Sequence, residues 1–144
     1  MKLITTVFVA LMALSFQNAI GQDSESIKDV INKAYVEGIH NKGDLNNTRN
    51  GFHPEFRMFA LRNGAVSKVS INDWIQRIEN SRKRNPNPPA QKTKAKFLSV
   101  DVTGSVASVK LELHRGGKLL FTDYLFLYKV GNEWKIVSKV YNAH

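Results

Sequence analysis

The 144-residue chain contains no cysteine and only four prolines. The missing thiols exclude disulfides, thiolate metal sites and a lipidated N-terminal cysteine. Its four histidines form no His-x-His or His-x-x-x-His pair, and none has a metal-binding spacing with the carboxylates, so we expect no metal. No nucleophile elbow, phosphate-binding loop or catalytic triad pattern occurs, and we expect no cofactor.

Acidic residues are also scarce: 12 against 21 lysines and arginines, for a formal net charge of +9. Many of the cations flank a proline-containing linker over residues 85–89, and they are Arg77, Arg82, Lys83, Arg84, Lys92, Lys94 and Lys96. We interpret them as a solvated basic rim, with anionic surface polymers or lipids as the alternative partner. No nucleic-acid partner is expected for an exported protein.

The first 21 residues have the pattern of a secretory signal peptide. Lys2 supplies the positive start, the apolar run from Leu3 to Phe16 is too short for a membrane span, and Ala19-Ile20-Gly21 is a small-x-small cleavage site. An uncleaved N-terminal anchor is the alternative. The sequence thus predicts a signal peptide over residues 1–21, one domain over residues 22–144 without a membrane span, and a secreted or periplasmic location.

Helical patterns precede a run of strands, which predicts an α+β fold. We expect a helix over residues 23–42, capped by Asp23 or Ser24 and ended by a left-handed Gly43. A short helix over residues 45–52 follows. A hairpin of strands 56–62 and 65–69 then turns at Asn63-Gly64. A helix from Ser70, whose capping box has Asp73 in place of Glu, ends at residues 82–84. Four strands complete the chain, over residues 95–103, 106–115, 118–130 and 133–141.

Gly104-Ser105, Gly116-Gly117 and Gly131-Asn132 separate these four strands and predict two-residue hairpin loops. Loops of that length fix the register, which pairs Leu98 with Leu111, Leu111 with Thr122, Val109 with Tyr124, and Phe126 with Val137. One face is then almost entirely apolar, formed by Leu98, Val100, Val109, Leu111, Tyr124, Phe126 and Val137. We expect the helices to cover the opposite face, at Leu127, Trp134 and Ile136, and the apolar face to form a homodimer. The reverse assignment is the alternative.

The chain resembles the nuclear transport factor 2-like superfamily and, within it, the family labelled putative lumazine-binding. The residues that carry the resemblance are Tyr35-Val36-Glu37-Gly38, Gly43-Asp44, Phe52-His53-Pro54-Glu55, residues 123–129 and residues 131–136. The resemblance implies a curved, mostly antiparallel sheet wrapped around N-terminal helices in a cystatin-like cone. It also implies a pocket on the concave side and frequent homodimers. It supplies no activity, because the superfamily holds both enzymes and binding proteins.

Asp123 is the sharpest candidate site residue, because it interrupts an apolar strand. The predicted register places it opposite Lys110 on one side and Val140 on the other. A carboxylate in an apolar cleft has a raised pKa and serves as an acid or base, whereas a cross-strand pair with Lys110 only holds the register. Tyr35, Phe56 and Trp74 are the expected aromatic walls of a ligand pocket, and a place in the core is their alternative role. His53 is either a pocket base or a structural contact.

Two functions therefore remain open from the sequence. The first is an exported dimer that holds a small apolar or aromatic ligand through Tyr35, Phe56, Trp74, Lys110 and Asp123. The second is an isomerase- or cyclase-like enzyme that uses Asp123 or His53 for proton transfer. A pocket lined only by aromatic residues favours the binding protein, which is our choice, and a polar pair deep in the pocket favours the enzyme.

The signal-peptide pattern makes a direct prediction. N-terminal sequencing of the exported protein should begin at Gln22, because cleavage follows Gly21. Full-length protein recovered from the cytoplasm would contradict it.

Overall fold

The computed structural model describes residues 21–144. Residues 1–20, which hold nearly all of the predicted signal peptide, lie outside the described residues. Helix α1 spans residues 21–40, and its second half, Ile31–His40, is π-helical. The other elements are α2 (Leu45–Gly51), β1 (Phe52–Arg62), β2 (Ala65–Ser70), α3 (Ile71–Arg84), β3 (Thr93–Thr103), β4 (Val106–Arg115), β5 (Lys118–Val130) and β6 (Glu133–Ala143). Within the described range, no helix combines the length and apolarity needed to cross a bilayer.

One curved, unclosed sheet carries all six strands, in the order β2-β1-β6-β5-β4-β3. Only β1 and β6 pair in parallel, and every other neighbouring pair is antiparallel. The helices pack on one face of the sheet, where the hydrophobic core lies. The α+β prediction and the wrapped-sheet expectation are both confirmed.

The turns follow the sequence signals. Asn63 and Gly64 both have positive φ, at 49° and 78°, as a type I′ turn requires. The Ser70 side chain accepts a hydrogen bond from the Asp73 backbone N–H at 3.1 Å, so the predicted cap of α3 is present.

The end of α1 differs from the prediction. Lys42, not Gly43, takes the left-handed conformation, with φ of 58°. The Gly43 N–H then donates to the Glu37 carbonyl at 2.8 Å, which closes a Schellman-type turn. Gly43 is needed for its small size, because a Cβ there would lie 2.8 Å from that same carbonyl oxygen. At the other end, Asp23 lies inside the helix and accepts from Lys129 and Trp134 at 2.7 and 3.1 Å, so it ties α1 to the sheet.

The predicted register is correct beside all three turns but wrong beyond the bulges. Extra residues at Leu98, Leu120 and Val137 shift the pairing, since each bulge moves the following side chains to the opposite face. The observed pairs are Phe97 with Leu111, Leu111 with Asp123, Val109 with Leu125, and Phe126 with Ser138.

The bulges also redistribute the two faces. The helices cover the face with Leu127, Trp134 and Ile136, as predicted, but Val109 and Leu111 lie on that same buried face. The predicted single apolar face is therefore wrong. The outer face instead carries Tyr124, Phe126, Tyr128 and Val140, with Phe59, Leu61 and Val66 of the β1–β2 hairpin, all of them exposed.

Candidate ligand site

A closed polar network lies at the centre of the covered face. Asp123 is fully buried, and its two carboxylate oxygens accept from Tyr35 Oη at 2.6 Å and from Lys139 Nζ at 2.7 Å. Lys139 is 3% exposed and also donates to Tyr35 Oη. Three elements thus supply one side chain each: α1 the phenol, β5 the carboxylate and β6 the ammonium.

The strand bulges bring the two charges together. Asp123 pairs with Tyr141 across the β5–β6 ladder, and Lys139 lies two residues earlier on β6, facing the same side. Without the extra residue at Val137, the alternation along β6 would turn Lys139 to the outer face. Sequence reasoning missed Lys139 for this reason. The sequence held one signal for a missing partner: a buried Asp123 needs a nearby cation, and that cation is not Lys110.

Aromatic rings surround the lysine ammonium. Its Nζ lies 4.5 Å from the ring centroid of Tyr35, 4.7 Å from Tyr141, 5.8 Å from Phe121 and 5.9 Å from Trp74. Ring faces carry negative electrostatic potential, so they partly replace the water that this cation loses on burial. We call Tyr35, Trp74, Phe121 and Tyr141 the aromatic chamber.

The structure brings some of the predicted site residues together, but not all of them. Tyr35, Trp74 and Asp123 meet around Lys139, and Phe56 stacks on Trp74 with a centroid separation of 6.1 Å and an interplanar angle of 20°. Lys110 is not among them. It pairs with Tyr124 on the outer face, where its Nζ lies 5.4 Å from the Tyr124 ring centroid, so the predicted Asp123–Lys110 contact is wrong.

The π-helical turn adds a histidine to the chamber wall. Tyr35 and His40 are five residues apart, and their rings meet edge to face at 4.9 Å. The wider turn of a π-helix makes this i, i+5 contact possible, and π-helical segments are frequent at functional sites. His40 Nε2 is buried without a hydrogen-bond partner within the described residues. The same histidine lines a cavity of about 430 Å³ beneath the proline linker, together with Ile39, Pro88, Pro89 and Arg115.

Two arginines hold this end of α1 in place. Arg82 of α3 donates to the carbonyl oxygen of Gly38, and Arg115 of β4 donates to that of His40 at 3.1 Å. These carbonyls belong to the last helical turn, where cations are favourable because the helix dipole is negative there. The π-helical turn, and with it Tyr35 and His40, is therefore fixed from two sides.

Burial changes the proton affinities of these groups. Desolvation lowers the pKa of Lys139, although the neighbouring Asp123 carboxylate opposes that effect. Burial and the Asp123 charge raise the pKa of Tyr35 well above its usual value, so the phenol keeps its proton. Burial first, then the positive charges of Lys139 and Arg115, lower the pKa of His40 to about 3, so His40 is neutral at physiological pH.

His53 lies outside this group. Its Nδ1 accepts the backbone N–H of Glu55 at 3.1 Å, a local contact around Pro54. Across residues 21–144, no group of three histidine, aspartate or glutamate side chains is placed to hold a metal ion.

The fold matches solved structures of the nuclear transport factor 2-like class. A protein of unknown function from Shewanella baltica OS155 is 25% identical and superposes with a TM-score of 0.68, covering 85% of this chain and 94% of its own. A second, from Silicibacter pomeroyi DSS-3, is 21% identical with a TM-score of 0.70, covering 87% and 98%. The architecture therefore belongs to that superfamily.

The chain also matches one family within that superfamily. The family model described as "Putative lumazine-binding" matches residues 22–142, and the chain belongs to that family. Among characterised proteins, the chain is similar to Aldolase FrzH of Cladobotryum sp, with 28% identity over 111 residues, which is 76% of this chain and 83% of that protein.

The buried His40 predicts an acid-sensitive fold. Its pKa is about 3 in the folded state and near 6.5 when unfolded, so the unfolded chain binds the proton first as the pH falls. The free energy of unfolding should therefore drop by roughly 1–2 kcal/mol between pH 6.5 and 5. Denaturant titrations across this range measure the slope.

His40→Phe keeps a ring at this position but removes the titration, so the slope should flatten. His144→Gln, at the exposed C-terminal residue, is the control and should retain the slope. An unchanged slope in His40→Phe would show that other groups cause the acid sensitivity.

Proposed function

We propose that this is an exported small-molecule-binding protein that holds a flat apolar or aromatic ligand against the aromatic chamber. The family and the superfamily support a small-molecule site. The observation that carries the proposal is the Asp123–Lys139–Tyr35 network at the centre of an apolar face. A few convergent polar groups among aromatic side chains are the usual composition of such a site.

The hydrogen-bond inventory indicates what the ligand offers. An ammonium has three N–H donors, and among residues 21–144 two protein oxygens accept from Lys139. The remaining donor faces the ring walls. A ligand oxygen, such as a carbonyl, satisfies it. Since Asp123 already balances the lysine charge, the ligand need not be an anion.

Trp74, Phe121 and Tyr141 are only half-buried, so the chamber meets solvent along one side. The rings of Phe121 and Tyr141 pack edge to face, with their centroids 5.8 Å apart, and form part of that boundary. A planar ligand reaches the ammonium by parting these side chains, and it gains stacking contacts with them. This is the access route that the proposal assigns.

An enzyme is the second candidate. A buried polar network beside aromatic rings favours catalysis over simple binding, and Asp123, Tyr35 and Lys139 form such a network. The similarity to a protein named an aldolase points in the same direction. Native mass spectrometry of protein from its own host would reveal a co-purifying ligand or product.

The binding proposal predicts the effect of removing the network. With lumazine as the probe and Trp74 fluorescence as the signal, Asp123→Asn combined with Lys139→Met should weaken binding at least about tenfold, since a hydrogen bond from a charged group is lost. The double variant avoids a buried unpaired charge. Trp134→Phe in every protein removes the second tryptophan, which lies under α1.

Lys110→Met is the matched control for that experiment. Lys110 is a predicted ligand residue that lies on the outer face, so its loss should leave affinity unchanged. Equal losses in the two proteins would remove the chamber from the binding site.

We also propose that the outer sheet face forms a homodimer. Leu61 is 71% exposed, Val66 68% and Phe126 46%, on a face where aromatic and aliphatic side chains continue across four strands. Contiguous apolar surface of this kind marks association sites in soluble proteins.

The dimer proposal predicts that Phe126→Glu converts the mature protein to a monomer in light scattering at micromolar concentration, because a charge would be buried at the interface. Gln76→Glu, on the exposed side of α3, introduces the same charge away from the sheet and should leave the dimer intact. A wild-type monomer at this concentration would overturn the proposal.

A further inference from the structure

We propose that Lys139 is a nucleophilic amine that forms a reversible Schiff base with an aldehyde or ketone bound in the aromatic chamber, an inference that rests on the binding site proposed above. The substrate class is therefore a carbonyl compound with a flat apolar body. The inference concerns a covalent step, which the binding proposal alone does not require.

The first argument is position. Lys139 Nζ lies at the convergence of four rings, the closest at 4.5 Å, rather than on the solvated surface where most lysines lie. A carbonyl oxygen that accepts the remaining Lys139 N–H places the carbonyl carbon beside Nζ. The rings fix the plane of the ligand, which reduces the orientational cost of attack.

The second argument is the route of proton transfer. Asp123 Oδ1 lies 2.7 Å from Lys139 Nζ and takes its proton, leaving a neutral amine and a neutral acid. The amine attacks the carbonyl carbon, forming the C–N bond while the C=O π electrons move to oxygen. Asp123 returns its proton to that oxygen, and then accepts a proton from nitrogen.

A final proton transfer completes imine formation. Asp123 protonates the hydroxyl group of the carbinolamine, the C–O bond breaks, and water leaves as the nitrogen lone pair forms the C=N bond. One ammonium and one carbonyl group thus give one protonated imine and one water. The positive charge ends where it began, at Nζ facing the Asp123 carboxylate, so no charge is left unpaired.

The surroundings suit this chemistry. Desolvation lowers the pKa of Lys139, which raises the fraction of free amine at neutral pH. Tyr35 donates to the second carboxylate oxygen at 2.6 Å, which makes it a positioning residue for Asp123. The ring walls limit the access of bulk water and so slow hydrolysis of the imine.

The test compares two naphthalene probes on the mature protein. 2-Naphthaldehyde with cyanoborohydride traps imines as stable amines, and peptide mass mapping locates them. 2-Naphthalenemethanol has the same rings without the carbonyl group, and its binding is measured by Trp74 fluorescence in the Trp134→Phe background. Lys139 should be labelled at least about tenfold faster than Lys92 and Lys96, whose side chains are 69% and 67% exposed.

Three controls sharpen the comparison. The alcohol should compete with labelling of Lys139 and not with labelling of Lys92. Unfolding in urea should abolish the preference. The Asp123→Asn, Lys139→Met protein should retain only the slow labelling of surface lysines, and its circular dichroism shows whether it is folded.

The outcomes separate this inference from the proposed binding function. If the alcohol binds but Lys139 reacts no faster than Lys92 and Lys96, the Schiff-base inference is overturned and the binding site stands. If the alcohol does not bind and the aldehyde does not label Lys139 of the folded protein, the binding proposal and the Schiff-base inference are both contradicted for flat aromatic ligands. Fast labelling of Lys139 that the alcohol blocks supports both.

Discussion

The ion pair between Asp123 and Lys139 is the constraint on which the rest of the site depends. Removing both charges from water costs several kcal/mol per ion, and an imperfect geometry would not repay that cost. Here the carboxylate accepts at both oxygens, from Tyr35 and Lys139, and aromatic rings face the ammonium. The position of α1 is therefore tied to the sheet at a point where a small displacement leaves a charge unsatisfied.

The placement of this pair explains how much of the site could be predicted. Asp123 was recognisable because a carboxylate interrupts an apolar strand. Tyr35 and Trp74 were recognisable from the helical stripes. Lys139 was not, because its face depends on an extra residue at Val137, and a bulge at a β-branched residue has no glycine or proline signal. The bulge at Leu120 likewise places Asp123 opposite Leu111, where Thr122 was predicted to lie.

The fold was more predictable than the site. Helix caps and hairpin turns depend on local chemistry, such as the Ser70 side chain or positive φ at Gly64, and these signals are contained in a few neighbouring residues. The π-helical half of α1 depends instead on distant partners. Thr48 donates to the Ala34 carbonyl at 2.8 Å, and a Cβ on Gly38 would lie 2.2 Å from the Thr48 hydroxyl oxygen. Such long-range contacts leave no periodicity in the sequence.

A buried ion pair is a poor device for stability alone, since well-packed apolar residues of similar volume often stabilise a protein as much or more. The wall of the same chamber holds a second unfavourable feature: His40, whose ring packs on Tyr35, has a buried Nε2 with no hydrogen-bond partner among residues 21–144. Energetically unfavourable local features concentrate at the functional sites of proteins. Both features border one chamber, whereas the outer face has surface pairs such as Lys110 over Tyr124. The energetic cost is thus localised at Lys139 and its neighbours, which is why the proposed ligand site is placed there.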